Sequence, residues 1–338
     1  MKAAIRGLIL IGLILSQAVA WAQQATPPDI PCAIFPEDHI WNTRVDTLAV
    51  DPNSDAYIDS IGRDATLHPD FGSGEYPEGS GVPIGIPYTV VDNSQPLVEI
   101  IYTDYGDESD PGPFPIPANA LIEGGSDGDG DRHVLVVNSD TCMLYELYYA
   151  FPQPDGTWEA SSGAVYDLNG YDLRPATWTS ADAAGLPILP GLVRYEEILA
   201  GVIRHAIRFT VPETREAFIW NARHLASDNA DLNVPPMGQR FRLKSSFVID
   251  PALPKTVQII LQAMKDYGII LADNGSAMFI TGVPDPRWDN DELNFLKDIT
   301  ADNFEAVDVC PLMLDWDSGQ ADPNAANSAS CLSADNVE

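Results

Sequence analysis

The chain has 338 residues, of which 45% are hydrophobic, and it carries 50 Asp+Glu against 18 Lys+Arg, a formal net charge of −32. That excess of negative charge repels polyanions and argues against nucleic acid or an anionic membrane as the main partner. Between an apolar leader and a polar tail the length suits one large domain or two closely packed ones.

The chain opens with MKAAIRGLILIGLILSQAVAWA. Lys2 and Arg6 form a basic start, an apolar run follows, and Ala20-Trp21-Ala22 supplies small residues for cleavage, which predicts a signal peptide over residues 1–22 and a secreted or periplasmic protein. No cysteine stands at the cleavage point, and no later run is long and apolar enough to span a bilayer. Four cysteines in an exported chain imply two disulfides, for which counting alone allows three pairings. Position favours Cys32–Cys142, fixing the N-terminus to a central hairpin, and Cys310–Cys331, tying down the tail. The absence of a CxxC pair excludes a zinc ribbon.

From Ile84 the pattern becomes strand-like, IGIPYTVVD and then LVEIIYTDYG, and the prolines of residues 109–118 demand extended chain. Two strands follow in DRHVLVVNSDTCMLYELYYA. Residues 180–200 read as short helical turns around a proline-broken loop, and VIRHAIRFTV (202–211), AFIWNA (217–222) and QRFRLKSSFVI (239–249) alternate as strands. PKTVQIILQAMKDYG predicts a helix with an apolar stripe of Val257, Ile260, Leu261, Met264 and Tyr267, ended by Gly268. IILA and AMFI predict a hairpin closed at Asn274-Gly275, and Asp289 with Glu292 predicts a capped helix over DELNFLKDI. The whole reads as an α+β, β-dominated fold of sandwich-like antiparallel sheets with a few packed helices. Residues 23–310 form a single globular domain and residues 311–338 a loosely ordered polar tail.

A hairpin turn at Ser139-Asp140 would place His133 opposite Glu146, with Asp131, Leu135, Leu144 and Tyr148 on the same face. A polar cluster would then stand at a strand end over an apolar floor, able to exchange protons or share an ion. The alternative is a cross-strand His–Glu pair that only satisfies two half-buried groups. His205 lies on an equally apolar run without an obvious local partner, so the expectation is that it faces the same cleft. Asp127, Asp129 and Asp131 alternate with glycines, an oxygen-rich turn of the type that binds calcium, or else a solvated acidic loop. No other cofactor is indicated. Arg208, Arg240 and Arg242 belong to a cluster of cations able to hold an acidic sugar or to form internal salt bridges. Trp158, Trp178, Trp220 and Trp288 could stack on sugars or fill the core.

The stretches DRHVLVV, SADAAGLPILPGLVRYEEI, PPMGQRFRLK and YGIILADNGS resemble a group of secreted bacterial proteins. The resemblance covers about His39 to Asp308 and implies a shared extracellular fold without naming an activity. The residues themselves lead to an exported carbohydrate-active enzyme, a polysaccharide hydrolase or lyase. In that reading His133, Glu146, His205 and Asp131 do the chemistry, and Arg208, Arg240 and Arg242 hold the substrate. The alternative is a non-catalytic glycan-binding or surface protein, calcium-dependent through Asp127, Asp129 and Asp131.

Overall fold

The computed structural model describes residues 26–325 and 329–333. The signal-peptide expectation for residues 1–22 lies outside the described residues. In chain order the strands are β1 (His68–Asp70), β2 (Tyr88–Val91), β3 (Ile100–Tyr102), β4 (Val134–Asn138), β5 (Met143–Tyr148), β6 (Phe151–Pro152), β7 (Trp158–Ala160), β8 (Ser162–Asp167), β9 (Ile207–Val211), β10 (Arg240–Leu243), β11 (Ile269–Asn274), β12 (Phe279–Thr281) and β13 (Phe304–Ala306). They form a six-stranded sheet in the order β1-β12-β9-β11-β10-β13, a four-stranded sheet β2-β4-β5-β8 and a three-stranded sheet β3-β7-β6. The sheets are mixed, where antiparallel ones were expected: the six-stranded sheet contains two parallel pairs and each of the others one, because strands distant in sequence, rather than hairpin neighbours, are paired there. Among the described residues four α-helices complete it, α1 (Ser54–Ile61), α2 (Tyr195–Ala200), α3 (Lys255–Asp266) and α4 (Asn290–Leu293), beside short 3-10 turns. The fold is α+β and β-dominated. No helix among the described residues is long and apolar enough to cross a membrane.

Strand β4 sets the layering, because all five of its residues are buried. Leu135 and Val137 enter the main core with Leu144, Phe209, Leu271 and Ile260, while Val134 and Val136 pack on a second cluster with Phe114, Leu147 and Trp158. A strand buried on both faces reads as a continuous apolar run, as VLVV does. The four-stranded sheet is thus the middle layer between the other two.

The β4–β5 connection differs from the two-residue turn expected at Ser139-Asp140. Pairs run Leu135↔Glu146, Val137↔Leu144 and Asn138↔Met143, so four residues, 139–142, connect the strands. Asn138 explains the wider loop. Its side-chain oxygen accepts the N–H groups of Asp140 and Thr141, its carbonyl accepts that of Cys142, and Cys142 adopts φ +56°. The register moves by two residues, which preserves the facing of every side chain. His133 and Glu146 therefore still share a face, but Glu146 lies opposite Leu135, and His133 packs beside Tyr148 at 5.7 Å between ring centroids.

Two other expectations change. The IILA/AMFI pair is no hairpin, because β9 lies between its halves, parallel to β11 and antiparallel to β12. The chain after Asn274 loops over the end of β9, where Gly275 and Met278 donate to Val211 and Thr210. Residues 202–206 are not strand, and AFIWNA contributes only single bridges, Phe218↔Met237 and Ile219↔Leu332. The helix α3 agrees with its sequence, burying Val257, Ile260, Leu261 and Met264, and Gly268 follows at φ +75°, where a Cβ would stand 2.2 Å from the carbonyl oxygen of Phe241.

Both disulfides form with the expected pairing, Cys32–Cys142 and Cys310–Cys331. Of the segment expected as a loose tail, residues 311–338, the described part packs instead, while residues 326–328 and 334–338 lie outside the described residues. Leu312, Met313, Ala321 and Cys331 are buried with Ile40, Val45 and Trp220, and Met313 bridges Ala321. Cys310–Cys331 closes a short loop over this small cluster, so its contribution is loop-closure entropy of about 2–4 kcal/mol. Replacing both cysteines by serine is expected to lower the melting temperature by several degrees while leaving the Cys32–Cys142 bond intact by mass spectrometry. An unchanged melting temperature would show that the tail is held by packing alone.

Candidate functional site

Segment 180–189 lies between the two larger sheets and is bonded to both. Toward the four-stranded sheet, the Ala181 carbonyl lies 3.0 Å from His133 Nε2, and the Ser180 carbonyl accepts Ser162 Oγ at 2.7 Å. The backbone N–H groups of Ile188 and Leu189 donate to the Glu146 carboxylate at 2.9–3.0 Å. Toward the six-stranded sheet, Asp182 grips Arg208 of β9 with both oxygens, at 2.5 and 2.9 Å. Ala184 N–H donates to the carbonyl of Ala272 in β11. Gly185 permits the tight reversal at φ +67°, where a Cβ would press on the Trp178 carbonyl at 2.6 Å.

A charged locus forms where this segment meets the 123–133 loop. The guanidinium of Arg208 also donates to Thr281 Oγ1 at 3.0 Å and stands 3.6 Å from Asp273 Oδ2 at the end of β11. Glu123 Oε2 lies 2.5 Å from His133 Nδ1. Ligand atoms of Glu123, Asp131 and His133 all come within 4.8 Å of one another. His133 and Arg208 are buried, Asp131 is exposed, and the Asp273 and Glu123 side chains are 28% and 24% exposed. Buried cations thus underlie carboxylates that reach solvent.

Environment separates the carboxyl groups. Burial, reinforced by the charge of Asp182 and opposed by Arg208, pushes Asp273 up to about 7. Burial also lifts Glu146 to about 7, opposed by the N–H bonds of Leu189 and Ile188 and reinforced by the charge of Asp182. Glu123 goes the other way: burial works against its charge, but the charge and hydrogen bond of His133 prevail and hold it below its ordinary value. For His133, burial opposes the cation while Glu123 stabilises it, and the ring is raised to about 9.

The residues singled out in the sequence divide. His133, Asp131 and Arg208 meet at the locus. Glu146, expected as the acid opposite His133, is fully enclosed and spends both oxygens on the backbone of residues 188–189, so it is an anchor of the fold. His205 does not share the cleft. Its Nε2 lies 2.9 Å from Glu197 Oε1, a partner eight residues upstream on α2, and its Nδ1 bonds the Ala206 carbonyl. That pair lines a separate groove of about 1160 Å3 with Arg44, Arg194 and Arg204. Arg240 is enclosed and donates to the carbonyls of Tyr267 and Ile40, while Arg242 pairs with Glu305 and the Val45 carbonyl. Neither is free to hold a substrate. Asp127 and Asp129 are exposed and stand outside the group formed by Glu123, Asp131 and His133, because Arg132 shapes that loop by donating to the carbonyls of Gly125, Ser126 and Gly128. Trp158, Trp220 and Trp288 are buried.

Sequence reasoning missed Glu123, Asp182 and Asp273. Asp182 and Asp273 each interrupt an otherwise small or apolar run, ADAAGLPIL and IILADNG. An acid in such a place has to find a buried partner, and that was the available signal. Glu123 sits among loop residues and left none.

Glu146→Ala removes the acceptor of two buried N–H groups, each costing about 1–3 kcal/mol when left unpaired. A melting temperature several degrees lower is expected, and one equal to wild type would contradict the anchoring role. Comparison of the chain with protein-family models, with curated proteins and with solved structures finds no match.

Proposed function

We propose that this protein is an exported carbohydrate-active enzyme that hydrolyses an extracellular polysaccharide at the Asp273/His133 locus. The observation that carries the reading is the convergence, at one solvent-reaching point between two sheets, of a carboxyl group held near neutrality and a second set of carboxylates. Cleaving a glycosidic bond needs a proton for the leaving oxygen and a second group that activates water or attacks the sugar. Asp273 is suited to the first task, since it keeps its proton up to about pH 7 and is positioned by the Asp182–Arg208 pair. The carboxylates of Glu123 and Asp131, with His133, supply the second.

Hydrolysis is favoured over elimination on a uronate. Arg208 is engaged by Asp182, Thr281 and Asp273, and Arg240 is enclosed, so neither is open to a substrate carboxylate. A glycan-binding reading leaves without a role the solvent-reaching position of Asp273, a carboxyl group raised by burial beside the ionised Glu123. Two disulfides fit an oxidising compartment, in keeping with export.

The test is a panel of polysaccharides assayed for new reducing ends, followed by Asp273→Asn. That variant is expected to lose activity by about 10²–10⁴-fold, with a nearly unchanged melting temperature. The acid works in its protonated form, so wild-type activity is expected to hold below about pH 7 and to fall as pH rises through that value. Full activity in Asp273→Asn, or a rate that climbs above pH 7, would reject the assignment.

A further inference from the structure

His133 holds its ring between two groups that accept hydrogen bonds. Nε2 faces the Ala181 carbonyl at 3.0 Å, and a carbonyl can only accept, so Nε2 carries a hydrogen. Nδ1 faces Glu123 at 2.5 Å, with Asp131 completing a group of ligand atoms within 4.8 Å. An imidazole whose far N–H is bonded to a backbone carbonyl is the arrangement that orients metal-ligating histidines. We infer that Glu123, Asp131 and His133 form a binding site for a divalent transition-metal ion of the zinc or manganese class, the ion displacing to solvent the Nδ1 proton that His133 shares with Glu123 and taking Nδ1 as its nitrogen ligand.

Donor chemistry selects the class of ion. Calcium takes six to eight oxygen ligands, whereas one imidazole and two carboxylates suit zinc or manganese. Two carboxylates neutralise a dication. The nearest cation in sequence, Arg132, is turned away at φ +52°, its guanidinium held by the carbonyls of Gly125, Ser126, Gly128 and Ala150 and stacked on Phe151 at 4.1 Å. The charge of Arg208 is matched by Asp182. Backbone bonds fix the frame: Glu123 N–H donates to the His133 carbonyl at 3.0 Å, and Tyr149 N–H to that of Asp131 at 2.8 Å. Metal–ligand bonds of about 2.0–2.2 Å require only that the two solvent-reaching carboxylates rotate around a fixed imidazole. Three protein ligands with a solvent side describe an open site rather than a closed structural one.

The experiment uses the disulfide-bonded secreted chain, stripped with a chelator and titrated with zinc chloride by calorimetry, with cobalt(II) absorption as a report on the ligand field. One ion per chain is expected, with a raised melting temperature. Asp131→Asn removes an exposed ligand without disturbing the core and should weaken zinc binding on the order of 100-fold. Asp127→Asn and Asp129→Asn should leave affinity unchanged. Absence of saturable zinc, manganese or cobalt binding would overturn the inference, as would equal affinity in Asp131→Asn and Glu123→Gln, or calcium binding tighter than zinc. Binding is read without substrate, so its outcome is distinct from the fate of the polysaccharide reading.

Discussion

The structure depends on the requirement that every polar group buried between the two larger sheets find a partner, and segment 180–189 meets that requirement. The four-stranded sheet directs His133 and Glu146 inward, and the six-stranded sheet directs Arg208 inward. None of these can bond water from where it sits, and an unpaired ion at such depth costs several kcal/mol. One short stretch answers all three: the Ala181 carbonyl for His133, the Asp182 carboxylate for Arg208, and the N–H groups of residues 188 and 189 for Glu146. Loss of either member of the Asp182–Arg208 pair would leave an uncompensated buried charge, a defect of about 3–5 kcal/mol. The sheets are therefore joined by polar complementarity as well as by the apolar contacts of Leu135, Leu144 and Phe209.

The same seam produces the chemistry. A buried pair held at its rim by rigid strands leaves neighbouring carboxyl groups in unlike environments. Asp273 shares Arg208 with Asp182, which takes the closer grip, so Asp273 receives little of the cation and is pushed toward the neutral form. Glu123 pairs directly with His133 and stays ionised. Glu146 shows that a raised carboxyl is not sufficient for a role in chemistry. Burial raises it to about the same value as Asp273, but its oxygens face backbone N–H groups and its side chain is fully enclosed. Access, not the shift alone, distinguishes the two.

A second His–Glu pair, His205 with Glu197, sits in the large groove beside Arg194. Glu197 there also accepts from the N–H and guanidinium of Arg194, closing the start of α2. It is a capping network in which histidine takes part. The two histidines that look equivalent in sequence are thus held by unrelated elements, His133 by a loop and a cross-sheet carbonyl, His205 by the helix that precedes it.

Local periodicity and covalent chemistry are properties of the sequence, and what they control was legible there. The β-dominated α+β class followed from short alternating runs, and the helix ending at Gly268 from its 3.6-residue stripe. The disulfide pairing followed from the positions of four cysteines, and the shared face of His133 and Glu146 from the period of two along strands. That last reading survived an incorrect turn because a two-residue slip leaves facing unchanged. Tertiary structure alone decided the rest. β9 inserts between β11 and β12 because sheet order is a contest among all strands for neighbours, which no local pattern records. Glu123 meets His133 across a loop whose course is set by Arg132 and its carbonyl acceptors. Asp182 and Asp273 meet Arg208 from segments 26 and 65 residues away in the chain. A strand pattern tells which way a side chain faces; which charges wait on the other side depends on how sheets stack, and that is settled by the burial of every polar group at once.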